Sequence, residues 1–278
     1  MEILWISLVV AIILFLLYGF AENFFPVIKH YEIVSKKIKK ETVFVLLSDL
    51  HACQIGRNNE KLWHMIQSVS PDFICIAGDM TVKNGTHTER VLAFLTKLSG
   101  EYPVYYAPGN HEIRMPEYEA YKETVKKAGV CYLENNSTVT SDNIRITGLD
   151  LPEYWYHKCW QKRIFTTEEM TELIGRNEKQ AFSLLLAHNP EYFEQYADWG
   201  ADLVLSGHIH GGIARLPFLG GVISPSLRLF PRYDAGEFER TGSRMVISRG
   251  LGLHHIRLRF FNRPEVSVIK LSCLLKEK

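Results

Sequence analysis

The chain has 278 residues, of which 46% are hydrophobic and 23% charged, and a formal net charge of +1. That length suits one sizeable α/β domain or two small ones, and the apolar content excludes general disorder. A charge so near zero supplies no overall field toward nucleic acid, whose partners need a basic track along the phosphates, so nucleic-acid binding is not expected.

Ile3 to Phe20 contains no charged residue and, as a helix, would span most of a bilayer core of about 30 Å. Gly19-Phe20-Ala21 resembles a signal-peptide cleavage site, but only Met1 and Glu2 precede the apolar run, with no Lys or Arg. The reading is a retained anchor over residues 1–22 that enters the membrane through residues 3–20. Lys29, Lys36, Lys37, Lys39 and Lys40 all follow it, so a single-pass chain would hold its remainder in the cytoplasm. Lys36 to Lys40 could instead be the solvated edge of a first strand. Residues 23–41 read as a linker and opening strand, and residues 42–278 as one domain.

Thr42 to Leu47 is a nearly continuous apolar run, as expected of a strand buried on both faces. Similar runs recur at Asp72 to Ala77, Pro103 to Ala107, Ile144 to Gly148, Phe182 to Ala187 and Leu203 to Ser206. Helical patterns at Asn59 to Val69, Thr88 to Leu98 and Glu117 to Ala128 separate the earlier ones, which is α/β alternation. Thr166-Thr167-Glu168-Glu169 spells a capping box for a helix running to about Gly175. Beyond Gly211 the pattern turns to short strands and turns, with further runs at Met245 to Ser248 and Val266 to Leu271.

Polar residues follow the strand ends in five places: Ser48-Asp49-Leu50-His51, Gly78-Asp79, Gly109-Asn110-His111-Glu112, His188-Asn189 and Ser206-Gly207-His208-Ile209-His210. The carboxyl ends of strands are where α/β sheets form sites. Asp49 and His51 are two apart, so continued strand geometry would aim both at one ion. Carboxylate, amide oxygen and imidazole together suit Mn, Fe, Co or Zn better than calcium. Singly, an Asp after a strand caps a helix and a lone His is hydrogen-bonded structure. One shared site explains all five segments together. The five cysteines (Cys53, Cys75, Cys131, Cys159, Cys273) are scattered, without C-x-x-C spacing, and fit a reducing compartment rather than a disulfide framework.

The ordered set Asp49/His51, Gly78-Asp79, Gly109-Asn110-His111-Glu112, His188 and Gly207-His208-Ile209-His210 resembles the calcineurin-like metallophosphoesterase family, over about Val43 to Leu271. The resemblance implies a two-sheet α/β sandwich flanked by helices. It implies Asp49, His51 and His210 on a first divalent ion, Asn110, His188 and His208 on a second, and Asp79 bridging them. Mn²⁺ is the first expectation for both ions, with Fe, Zn and Co as the others. His111 would donate a proton to the leaving oxygen, or else orient Asp49. The apolar N-terminus and Ser248-Arg249-Gly250-Leu251-Gly252 are similar to the membrane-associated bacterial branch. No counterpart of the purple acid phosphatases' tyrosine ligand is found, and Met80 departs from the family pattern in a way expected to affect packing only.

The implied activity is two-metal hydrolysis of a phosphodiester or phosphomonoester, at the membrane, on a phospholipid or nucleotide-lipid headgroup. The alternatives are a pyrophosphatase acting on UDP-2,3-diacylglucosamine in lipid A synthesis, a membrane-tethered metal-binding scaffold without turnover, and a nuclease, which the charge disfavours. Two segments could meet a lipid chain or simply pack: Tyr154, Trp155, Tyr156 and Trp160, and the stretch Leu216 to Phe230. Arg57, Arg114 and Arg249 could bind a second phosphate or lie solvated. His254-His255 reads as structural, and Cys53 as a small loop residue rather than a reactive thiolate.

Overall fold

The structure is a computed structural model describing residues 1–156, 165–178, 180–216, 218–223, 229–253 and 257–274. Trp160, Cys159, Pro225 and His254-His255 lie outside these residues. The first half runs α1 (Glu2–Ala21), β1 (Val27–Ser35), β2 (Thr42–Leu47), α2 (Glu60–Val69), β3 (Phe73–Ala77), α3 (Thr88–Ser99), β4 (Val104–Ala107), α4 (Tyr118–Lys127) and β5 (Cys131–Tyr132). The second runs β6 (Asn136–Val139), β7 (Ile144–Leu149), α5 (Thr167–Ile174), β8 (Phe182–Ala187), α6 (Phe193–Trp199), β9 (Leu203–Ser206), β10 (Ala214–Leu216), β11 (Gly220–Ile223), β12 (Gly236–Arg240), β13 (Ser243–Ile247) and β14 (Glu265–Cys273).

Two six-stranded sheets form, in the orders β1-β14-β2-β3-β4-β5 and β12-β13-β9-β8-β7-β6, with β10-β11 as a separate hairpin. Strands β2 to β5 are mutually parallel, and so are β7, β8, β9 and β13. Period-two alternation divides the apolar runs between layers. Phe44 and Leu46 of β2 join Phe73, Phe182, Leu184 and Leu205 in the core between the sheets. Val45 and Leu47 face outward, with Ile74 and Ile76, onto Leu62, Ile66, Phe94 and Leu95 of α2 and α3. The second sheet's outer face packs on Trp155, Phe165, Met170, Phe193 and Tyr196. The result is helices, sheet, sheet, helices, and strands buried on both faces need the continuous apolar runs seen in the sequence.

The expected capping box forms: Glu169 N–H donates to Thr166 Oγ1 at 3.2 Å, and Thr166 N–H to Glu169 Oε2 at 3.0 Å. Residues 27–35 are a nine-residue strand, pairing in parallel with β14 throughout. Helix α1 is apolar and long enough to cross a membrane, with only 6% of its most apolar window buried. Its end is nonetheless docked. Arg259 N–H donates to Gly19 O at 2.9 Å, the Phe260 ring stacks on Phe15 at 4.3 Å, and a Cβ on Gly19 would lie 2.4 Å from that ring.

Candidate metal centre

Each expected residue lies just beyond a strand end: Asp49 and His51 after β2, Asp79 after β3, Asn110 and His111 after β4, His188 after β8, and His208 and His210 after β9. Strand geometry does not continue through the first segment. Asp49 and His51 have φ of 54° and 49°, so left-handed turns, not strand alternation, bring their side chains together. Asp79, His208 and His210 share this conformation, at 54°, 72° and 54°. It costs a non-glycine residue roughly 1 kcal/mol or more, and persists only where surrounding contacts over-determine it.

Those contacts are visible. Asp49 N–H donates to Gly78 O and His51 N–H to Asp79 O, both at 3.0 Å, and Ala52 N–H to Met80 O at 2.8 Å. The segment after β13 closes the other side, with Gly252 N–H donating to Asp49 O at 2.7 Å and Leu251 N–H to Ser48 O at 3.1 Å. Gly78 (φ 77°) makes a turn and also a close approach, because a Cβ there would lie 2.6 Å from Gly109 Cα. Met80 is fully buried in the core beneath the site.

The side chains form three overlapping groups, Asp49/His51/His210, His51/Asp79/His111 and Asp79/His188/His208, each with donor atoms within 4.8 Å of one another. His51 Nε2 and His210 Nε2 face each other at 3.0 Å, with the rings stacked. Asp49 Oδ1 lies 3.3 Å from His210 Nε2 and 3.9 Å from His188 Nε2, and Asp79 Oδ2 lies 3.1 Å from His188 Nε2. Asn110 Oδ1 is buried with no hydrogen-bond donor among the described residues. Two buried carboxylates, converging imidazole nitrogens and an orphaned amide oxygen are donors that a borderline divalent cation satisfies.

Backbone groups fix two tautomers. His188 Nδ1 is 2.6 Å from Ala77 O, which can only accept, so Nδ1 carries a proton and Nε2 faces the carboxylates. For His111 the polarity reverses: Lys83 N–H donates to Nδ1 at 3.3 Å, which leaves the neutral ring's proton on Nε2, 4.0 Å from Asp79 Oδ2. Its own N–H donates to Asp79 Oδ1 at 2.7 Å. His111 therefore adjoins Asp79 and His51.

Electrostatics follow from burial and charge. Burial, with His210 alongside, pushes His51 down to about 3, and burial, with His188 alongside, does the same to His208. Burial works against ionised Asp49 and Asp79, but the charges of His210 and His188 outweigh it and hold both well below the usual carboxylate range. Burial likewise works against a charged His188, yet Asp79 and Asp49 draw it up to about 10. Ionised Asp49 and Asp79 beside neutral His51 and His208 are protonation states that metal ligation uses, and a bound cation would take the place of the proton that the carboxylates hold on His188.

Three neighbours carry roles that the sequence did not suggest. Glu112, fully buried, accepts from Asp79 N–H (2.8 Å), Gly109 N–H (2.9 Å), Thr81 N–H (3.0 Å) and Tyr106 O–H (2.7 Å), so it ties two site loops together. Tyr156 lays its ring against His188 and His208, at 6.1 and 5.4 Å between centroids, while Trp155 packs in the core. Asn262 Nδ2 donates to His210 O at 2.8 Å, while Asn262 N–H donates to Glu22 Oε2 at 2.9 Å. Of the arginines, Arg114 pairs with Glu153 at 3.0 Å and Arg249 with Glu265 at 3.2 Å, and Arg57 is exposed. Cys53 is half-buried, and its partial burial pushes the thiol up, away from thiolate reactivity.

Residues 42–212 match the family model for the calcineurin-like phosphoesterase domain. A metallophosphoesterase of Aquifex aeolicus is 28% identical over 91% of this chain and 95% of its own length. YkuE, a metallophosphoesterase of Bacillus subtilis, is 28% identical over 74% of this chain and 70% of its own. The phosphodiesterase YaeI of Escherichia coli is 30% identical over 72% of this chain and 70% of its own.

Proposed function

Because the chain belongs to the calcineurin-like phosphoesterase family, we propose that it hydrolyses a phosphodiester or phosphomonoester at a membrane surface, on a phospholipid or nucleotide-lipid headgroup. The family makes it a metallophosphoesterase, and the diester reading is supported by its likeness to a phosphodiesterase of Escherichia coli. In this reading residues 1–22 are a single-pass anchor and residues 42–278 the phosphoesterase domain, on the cytoplasmic side where the lysines cluster.

Two divalent ions, Mn²⁺ first and Fe, Zn or Co otherwise, would be held by Asp49, His51 and His210 and by Asn110, His188 and His208, with Asp79 shared. When bound, they supply Lewis acidity that draws charge from the phosphoryl oxygens and lowers the pKa of water. The carrying observation is the juxtaposition of the Asp49/His51/His210 and Asp79/His188/His208 groups, with His111 between them. His111 serves as general acid to the leaving oxygen, a role supported by its place beside Asp79 and His51 between the two groups. Glu112 holds the loops of Asp79 and Asn110 in register, and Tyr156 walls the side of His188 and His208.

The test is hydrolysis of bis(p-nitrophenyl) phosphate and p-nitrophenyl phosphate by the full-length chain in detergent, after EDTA and then with Mn²⁺ or Zn²⁺ restored. Turnover restored by metal and abolished in Asp79→Ala supports the reading, and His111→Ala should lower kcat roughly 10²–10⁴-fold. Folded, metal-loaded protein that cleaves neither ester, nor a lipid pyrophosphate, would leave a binding scaffold as the better account.

A further inference from the structure

The segment that docks α1 also carries an apolar hairpin. Asn23 Nδ2 donates to Arg257 O at 3.2 Å, Arg259 N–H to Gly19 O at 2.9 Å, and the Phe260 ring stacks on Phe15. From residue 257 to residue 260 the segment thus climbs the helix, from the level of Asn23 toward Phe15. Strand β10 runs parallel to it: Ala214 bridges Phe260, Arg215 N–H donates to Phe260 O at 2.9 Å, and Phe260 N–H to Ile213 O at 3.0 Å. The hairpin therefore continues in the direction in which α1 enters its apolar stretch.

Past β10 its tip carries Phe218 and Leu219, 106% and 65% exposed. The chain returns through β11, where Ile223 bridges Leu229, and Leu229 and Phe230 are 67% and 58% exposed. Phe261, which packs on Tyr18, is 55% exposed beside them. Large apolar side chains gathered this way are costly in water and mark an interaction surface. Their occupant is indicated by the exposed apolar helix they adjoin, since both surfaces need the same apolar solvent.

We propose that Phe218, Leu219, Leu229, Phe230 and Phe261 form a bilayer-docking surface that enters the leaflet interface beside α1. This rests on the reading of α1 as a membrane anchor. Two apolar attachments fix an orientation that one alone does not. The hairpin begins directly after His210-Gly211-Gly212, so the docking surface holds the proposed metal loop near headgroup depth, where a lipid's phosphoester lies.

The test attaches an environment-sensitive fluorophore to Leu219→Cys, Val139→Cys or Ile12→Cys in the full-length chain, with the unsubstituted chain as labelling background. Each is reconstituted into phosphatidylethanolamine and phosphatidylglycerol vesicles containing doxyl-labelled lipid. Val139, on edge strand β6, is the solvent reference and is 49% exposed. The expected result is severalfold stronger quenching at positions 12 and 219 than at 139. Quenching at 12 but not at 219 overturns the docking surface while leaving the anchor standing. No quenching at 12 overturns the anchor reading, and the docking proposal with it.

Discussion

The Glu112 carboxylate accepts three backbone N–H groups and a tyrosine hydroxyl within the core. Its removal leaves buried donors that each cost about 1–3 kcal/mol, so Glu112→Ala should lose roughly 3 kcal/mol or more in urea unfolding, and Glu112→Gln, which keeps one acceptor oxygen, less. Asp150 gives a pH-dependent case. Burial, reinforced by Glu134, raises it from 3.8 to about 7. Between those values the folded chain keeps a proton that the unfolded chain has released, so stability present below 3.8 is lost as the pH rises toward 7. Asp150→Asn should therefore raise Tm at about pH 8, the difference vanishing near pH 4, as differential scanning fluorimetry would read. The metal-type residues were legible because unusual donors followed each apolar run. Tyr156 and Asn262 were not, because only tertiary contact gives them a role, while Glu112 stood inside a legible motif with nothing to mark it as a clamp.

At the scale of elements, strands buried on both faces announced themselves: β2, β8 and β9 span the expected Thr42–Leu47, Phe182–Ala187 and Leu203–Ser206. Edge strands did not. In β12 exposed residues alternate with half-buried ones, and in β6 all but Thr138 are exposed, so their sequences carry no apolar run. Helix α6, seven residues long, is too short to repeat a helical period convincingly. The link between α1 and the site has no sequence signature either. Glu22 holds Asn262 N–H, and Asn262 Nδ2 holds His210 O, so Asn262→Ala should cost about 1–3 kcal/mol of stability. The same change should weaken Mn²⁺ binding, measured by calorimetry, because the His210 turn loses its brace.

For the whole molecule, α1 is a packed part of the domain as well as its proposed anchor. Deleting residues 1–24 uncovers Phe260 and strips Arg259 N–H and Asn262 N–H of their acceptors. Tm in the same detergent should fall by roughly 5 °C. A cut extended to residue 30 would also damage β1 and its pairing with β14. The sheet order β1-β14-β2 bears on how the chain is made. Both neighbours of β14 leave the ribosome long before it does, so the gap between them stays open through most of synthesis. Such long-range closure is slow and leaves strand edges bare. With α1 inserted as proposed, the nascent domain would wait half-built against the bilayer, and chaperone demand should concentrate there.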